Sequence, residues 1–316
     1  MDHYLRQRIF KTDELGPNGK EILLNRLHKT RSAREPASSV AFDINDFIHV
    51  ANSERDLQEL ERHTRLMSSV AAVSTLRFGA SLMRLFHHLN CPEQAYSIYK
   101  NDVCRDLLGD NTCHKILMDL LYNNQYYHQV LEVFDTLRHF NIDCATLAFG
   151  AHFHINTAGS AQSCILLLNK LHSHRLSQRA LHFAAMLCLN QHLPDEAIKC
   201  LKLFKKNSLS SNLEMICVAQ QRRVGDLLAL LEEARVKSED LKKPLNTRLY
   251  ADTMSVVRVC MDQAGDEAQK TQFSHLEKEL NFNSALSLQK LSTLLDRTVL
   301  DEKDFVKARG KRGHIS

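Results

Sequence analysis

One position recurs through the middle of this 316-residue chain: Ala95, Val130, Ala161 and Ala197, at intervals of 35, 31 and 36. Each lies early in a short amphipathic segment: "CPEQAYSIYKND" (91–102), "YYHQVLEVFDTL" (126–137), "AGSAQSCILLLN" (158–169) and "LPDEAIKCLKLF" (193–204). A second amphipathic segment precedes each of them: "FGASLMRLFHHL", "CHKILMDLLYNN", "TLAFGAHFHIN" and "RALHFAAMLCLN". In the first of these, Leu82, Leu85, Phe86 and Leu89 fall at i, i+3, i+4 and i+7, which is one buried stripe of an α-helix. A small or β-branched residue at the recurring position lets two antiparallel helices joined by a short turn approach closely. Pro92 and Pro194 fall in the first turn of their helices, where a missing N–H costs nothing. A fifth, degenerate copy is centred on "VGDLLALLEEA" (224–234).

A helix pair of this size cannot bury its apolar face alone, so consecutive pairs must stack into one continuous core. The expected fold is therefore all-α, a solenoid of stacked helix–turn–helix repeats with helical caps at both ends. Composition agrees: ten glycines and five prolines are few for this length, and turn-rich Val/Ile/Thr alternation is missing, which excludes an all-β fold. No run approaches eighteen apolar residues, so no membrane span is expected. Nine cysteines, an odd count with no C-x-x-C, sit mostly among apolar neighbours and read as small buried hydrophobes of a reducing compartment. A net charge of +4 permits a polyanionic partner without requiring one.

Along the chain, residues 1–40 read as a largely flexible lead-in and linker. They hold a "GPNGK" turn, one short helical pattern over Glu21–Lys29 and the polar "TRSAREPASS". Residues 41–75 read as N-terminal capping helices, with Ser53, Asp56 and Glu59 announcing a helix over Glu54–Ser68. Repeats follow at 76–110, 111–141, 142–177 and 178–212, with the degenerate copy at 213–236. Helices then continue over 237–300, and 301–316 form a basic, mobile tail. The opening "MDHYLRQRIFK" lacks the long acid-free pattern of a good organelle presequence, so any targeting signal is atypical or lies upstream.

A period near 35 leaves tetratricopeptide-like and pentatricopeptide-like arrays as the principal candidates. The tetratricopeptide Trp, Gly-Tyr and terminal Pro signatures are missing, and the chain has no tryptophan. The stretch "TCHKILMDLLYNNQYYHQVLEVFDTLRHFNI" resembles the pentatricopeptide pattern over Ile116–Leu121, Asn123–Gln125 and Val130–Leu137. Through "FGASLMRLF", "TCHKILMDLL", "LAFGAHFHIN", "LHFAAMLCLNQ" and "LSLQKLSTLLDR", roughly Phe78–Asp301 is similar to the mitochondrial pentatricopeptide repeat-containing protein 2 family. That resemblance implies a right-handed α-solenoid that binds organelle transcripts, supports their maturation, processing or stability, and so sustains the respiratory chain.

In such repeats single-stranded RNA lies along the first helices, and two positions per repeat face a base. Carried over by register, the helical positions are Ala80, Lys115, Thr146 and His182, and the terminal ones Asp110, Asn141, Leu176 and Asn212. Asp110, Asn141 and Asn212 suit the terminal role and Thr146 the helical one, but no repeat presents both halves, so a base code is not assembled. Lys115 would contact a phosphate, and Arg77 and Arg179 would stack guanidinium planes on bases. The competing structural reading is that these are solvated first-turn residues. The Arg138/His139, Lys199/Lys202/Lys205/Lys206, Arg222/Arg223, Lys242/Lys243 and Arg309/Lys311/Arg312 clusters offer further charge, although Lys199, Lys202 and Lys206 share a second-helix face that reads as plainly solvated.

No catalytic residue, cofactor or metal is expected. Glycine-rich phosphate and dinucleotide loops, nucleophile elbows and H-E-x-x-H are missing from the sequence. The histidines at 87, 88, 114, 128, 139, 152, 154, 172, 174 and 182 are scattered, and rings two apart on a helix point roughly 200° from each other. Asp102, Asp106, Asp110 and Asp119 read as helix-cap residues. The expectation is a monomeric, non-catalytic RNA-binding protein. RNA-processing enzymes or ribosomal proteins are further partners, and the rival reading is a helical protein-interaction scaffold.

Overall fold

A computed structural model of the chain describes residues 1–29, 37–68, 78–104, 108–203, 206–239 and 248–295. These residues form an all-α helical-repeat fold with a single two-residue strand pair. The described residues divide into two compact units, one within 1–144 and the other within 145–295.

In the first unit, α1 (Asp2–Leu15), α2 (Gly19–Lys29), α3 (Ala37–Val50) and α4 (Glu54–Ser68) are followed by two helix pairs. These are α5 (Gly79–Leu89) with α6 (Pro92–Lys100), and α7 (Asn111–Asn123) with α8 (Tyr127–Asp135). The hub is α3, which packs against α1, α2, α4 and α5 and buries Ile44, Phe47 and Ile48 completely.

Residues 1–29 are therefore not a loose lead-in. The periodicity conceals this because Tyr4 is the one residue α1 buries, while its Ile9 and Phe10 are exposed. Its attachment is made by hydrogen bonds. The Tyr4 hydroxyl donates to the Ile48 carbonyl (3.1 Å), and Arg8 donates to the carbonyls of Ile48 (3.2 Å) and Ala51 (2.7 Å). These are carbonyls at the end of α3 that have no partner inside that helix, and an arginine there also opposes the negative end of the helix dipole. The linker over 30–36 and the tail over 301–316 lie outside the described residues.

Helix α4 has the expected bounds. Its Ser53 Oγ accepts from the Asp56 amide (3.3 Å) while the Asp56 carboxylate accepts from the Ser53 amide (3.0 Å), a reciprocal cap.

The second unit continues the pairs with α9 (Ile142–Ile155, whose first turn belongs to the first unit) and α10 (Ala158–Lys170), then α11 (Gln178–Asn190) and α12 (Pro194–Leu201). Next come α13 (Ser208–Gln220) with α14 (Val224–Ser238), and α15 (Ala251–Ala264) with α16 (Glu267–Phe282). Helix α15 packs on α13 and α16 on α14, so the last pair extends the same stacking. The chain then returns through β2 (Leu286–Ser287), parallel to β1 (Leu249–Tyr250), to a short α17 (Leu291–Leu295) that packs against α11 and α15.

The five repeat pairs from α5/α6 to α13/α14 share one closure, whereas α15/α16 turns through the extended Gly265. Asn90, Gln125, Asn156, His192 and Arg222, each five residues before the recurring position, adopt left-handed backbone with φ of 52°, 65°, 50°, 57° and 56°. In four of the turns the next amide bonds back across six residues: Cys91 to Phe86, Tyr126 to Leu121, Leu193 to Cys188 and Arg223 to Val218, at 2.8–3.1 Å. This is the Schellman closure of a helix C-terminus. The recurring residues Ala95, Val130, Ala161 and Ala197 are all wholly buried. The fifth copy is an intact pair with Leu227 in this slot, also wholly buried. Leucine in place of a smaller residue is what makes this copy read as degenerate in the sequence.

Two substitutions separate the turn from the packing. His192→Gly removes a Cβ from a left-handed residue and is expected to stabilise the chain by about 0.5–1 kcal/mol in urea unfolding. Ala197→Leu overfills a closed contact and is expected to cost about 1–3 kcal/mol.

Candidate nucleic-acid interface

The N-terminal end of each first helix sets the geometry of the expected reading positions. The residue before the helix is Asp110, Asn141, Ser177 or Asn207, and the residue five further on is Lys115, Thr146, His182 or Asn212. Asn212 thus lies inside α13, in the helical column, and the terminal position of that repeat belongs to Asn207. The short interval of 30 residues from His182 to Asn212 is what displaced the sequence register. Likewise the slot assigned to Leu176 is held by its neighbour Ser177. Arg77 lies outside the described residues, and Ala80 is half-buried near the start of α5.

All four terminal residues cap helices. The Asp110 carboxylate accepts from the Cys113 amide (2.8 Å), and the Asn141 side-chain oxygen accepts from the amides of Asp143 (2.9 Å) and Cys144 (3.1 Å). Ser177 Oγ accepts from Ala180 (3.1 Å), and Asn207 Oδ1 accepts from Ser210 (2.8 Å) within a full capping box. Caps of this kind are preferred at these positions for their own energetic reasons, about 1 kcal/mol each.

The helical column is also engaged. Lys115 is mostly buried and forms an ion pair with Asp143. Thr146 is buried, and its hydroxyl shares a 2.7 Å hydrogen bond with Ser177 Oγ. His182 is 4% exposed, and burial together with the nearby Arg179 charge pushes its pKa down to about 4. Asn212 is 1% exposed; its amide donates to the carbonyls of Ser208 and Arg248 (both 2.8 Å), and its oxygen accepts from the Tyr250 amide (3.0 Å). Arg179 donates to the Leu295 carbonyl (2.9 Å) with its guanidinium 5.8 Å from the Phe183 ring centre. Arg248, Tyr250 and Leu295 belong to the chain's own C-terminal return. In the second unit that return lies on residues the base-reading expectation would leave for RNA.

Among the other basic clusters, Lys199 pairs with Glu196 (2.7 Å), Lys206 with Glu214 (2.9 Å) and Arg223 with Asp226 (2.5 Å), which removes much of their field. Lys205, Lys242 and Lys243 and the tail arginines lie outside the described residues.

The sequence holds a stronger signal than these clusters. From Cys144 to Pro194 there is no aspartate or glutamate, in a chain with 37 of them. The stretch carries Lys170, Arg175 and Arg179 with histidines 152, 154, 172, 174, 182 and 192. In the structure Lys170, the last residue of α10, is exposed, as are His172, His174 and Arg175 on the turn that follows it. An acid-free stretch of this length is legible without any structure, as a run of missing charge and not as a motif.

No profile of a known protein family matches the chain. Curated relatives share its sequence at a lower level. Pentatricopeptide repeat-containing protein 2, mitochondrial, of Pongo abelii is 27% identical over 248 residues, covering 75% of this chain and 63% of the relative. The protein of the same name from Homo sapiens is 25% identical over 245 residues, covering 75% and 62%, and that from Xenopus laevis is 24% identical over 206 residues, covering 61% and 53%. The chain resembles the pentatricopeptide repeat-containing protein 2 family. The match spans less than two thirds of each of these relatives' length. Among the described residues, no helix is long and apolar enough to cross a membrane.

The depressed His182 pKa predicts a pH dependence. The unfolded residue binds a proton near pH 6.5 and the folded one only near 4, so its neutral, buried state favours folding above pH 6.5, and that contribution is lost as pH falls from 6.5 to 4. The full difference is on the order of 3 kcal/mol. Urea unfolding at pH 7.5 and pH 4.5 is expected to show a smaller loss of stability in His182→Gln than in the parent chain.

Proposed function

We propose that this chain is a non-catalytic, RNA-associated helical-repeat protein of mitochondria, acting in the maturation, processing or stability of organelle transcripts and so supporting the respiratory chain. The compartment and the RNA association rest on the resemblance to the mitochondrial relatives. The single observation in the molecule that supports RNA contact is the acid-free stretch over 144–194, with its exposed basic turn at Lys170–Arg175. Phosphates are attracted to such a surface by counterion release, whatever the base sequence.

The mode of binding differs from base reading along the first helices. Lys115, Thr146, His182 and Asn212 are held in internal hydrogen bonds, ion pairs or burial, and the caps Asp110 and Asn141 hold helix starts. Contact through Lys170 and Arg175 to the backbone of single-stranded RNA requires none of them. Asp143 stands beside Lys115, so Lys115 serves the fold first and is not the group on which RNA contact depends.

A second reading, a protein-interaction scaffold for a ribosomal or RNA-processing partner, is favoured by the burial of the helical column. Binding of fluorescent single-stranded RNA across a salt series distinguishes the two. Affinity is expected to fall steeply with salt, and Lys170→Glu/Arg175→Glu to weaken binding at least tenfold. Losing two phosphate contacts reduces the salt slope by about 1.4. An absence of binding at low salt, with a protein co-purifying in its place, decides for the scaffold.

A further inference from the structure

We infer that His28, Glu59 and His63 form a site for a zinc-class divalent cation that joins α2 to α4. His28 lies in the last turn of α2, while Glu59 and His63 lie one turn apart on α4. Their ligand atoms all fall within 4.8 Å of one another. His28 Nε2 is 3.2 Å and His63 Nε2 3.7 Å from the same Glu59 Oε2.

Tetrahedral zinc with ligands near 2.0–2.1 Å requires donor atoms about 3.3 Å apart, so two of the three separations already bracket that spacing. The third closes with a movement of no more than about 1.5 Å, within the swing of an exposed imidazole. The His28 side chain is 41% exposed and that of His63 5%, which opens the site to solvent on one side only.

The donor set is chemically specific. Two imidazoles stacked 5.9 Å apart converge on one carboxylate. They match the zinc donor set of two histidines and one carboxylate, with the fourth position left to water. Arg62 Nη2 lies 3.3 Å from the same Glu59 oxygen and must give way; its side chain is 38% exposed and can turn to solvent.

The place in the fold makes the site useful. Helices α2 and α4 both pack on α3, and they reach each other through side chains, including Lys20 to Asp56 at 2.6 Å. A bound ion would add a stronger link at the other end of the same face. Ligands drawn from two helices 31 residues apart tie metal binding to the folded arrangement of this unit.

The test uses the full chain stripped with EDTA and then titrated with cobalt(II) and zinc at neutral pH. One tight equivalent is expected, with a tetrahedral cobalt d–d spectrum and no sulfur-to-metal charge-transfer band. Zinc is expected to raise the melting temperature. His28→Gln, a change at an exposed position, and Glu59→Gln should each weaken zinc at least tenfold while the circular dichroism spectrum is unchanged, and His63→Gln should do the same if it folds. Absence of a tight equivalent overturns the inference. So does a thiolate band, which would assign the ion to the cysteines, or zinc binding that survives His28→Gln and Glu59→Gln.

Discussion

The closure of the five repeat pairs is the constraint on which the rest of the structure depends. A left-handed residue ends the first helix, a six-residue back-bond seals it in four of the five turns, and five positions later a wholly buried side chain lets the second helix lie against the first. None of the five left-handed residues is glycine, so each carries the steric cost of a Cβ in that region. The packed pair on either side over-determines the turn and holds it there. With the turn fixed, the direction of the second helix against the first is fixed.

The same economy explains why the first-helix residues are so fully occupied. Helix starts leave amides without partners, and Asp110, Asn141, Ser177 and Asn207 satisfy them. Five residues further on, Lys115, Thr146, His182 and Asn212 are buried or mostly buried, and a polar group in such a place must bond or lose its charge. Lys115 does the former with Asp143, Thr146 with Ser177 and Asn212 with the Arg248–Tyr250 backbone, while His182 stays neutral. Side chains committed in this way are poor readers of a base. Charge on exposed residues, as at Lys170 and Arg175, carries no such commitment, and it is the feature on which the proposed RNA contact rests.

Much of this was legible in the chain itself. The α4 helix, its reciprocal cap, the prolines opening α6 and α12, and the four recurring small residues follow from local preferences, and these depend only on neighbours within a turn or two. Other features were hidden for definite reasons. Helix α1 is held by Tyr4 and Arg8 on the carbonyls of α3, a polar attachment that leaves no apolar stripe. The fifth pair was visible only as a degenerate copy, because it carries Leu227 where the others carry a smaller residue. A 30-residue interval moved Asn212 out of the terminal column and into the helical one. The Glu59/His63 spacing is visible on one helix, but nothing in the sequence brings His28 to it from 31 positions away.

The sequence by itself determined that the chain would be a stack of helix pairs, because helical periodicity and small-residue spacing report burial that is local to each pair. It also contained an acid-free stretch of 51 residues, from Cys144 to Pro194. The tertiary structure alone decided which polar residues remain available. Partners such as Asp143 for Lys115, Tyr250 for Asn212 and Leu295 for Arg179 lie 28, 38 and 116 residues distant, and whether they meet depends on how successive pairs and the C-terminal return pack. A desolvated polar group takes the partner that packing supplies, so its role is set by that packing and not by its position in a repeat.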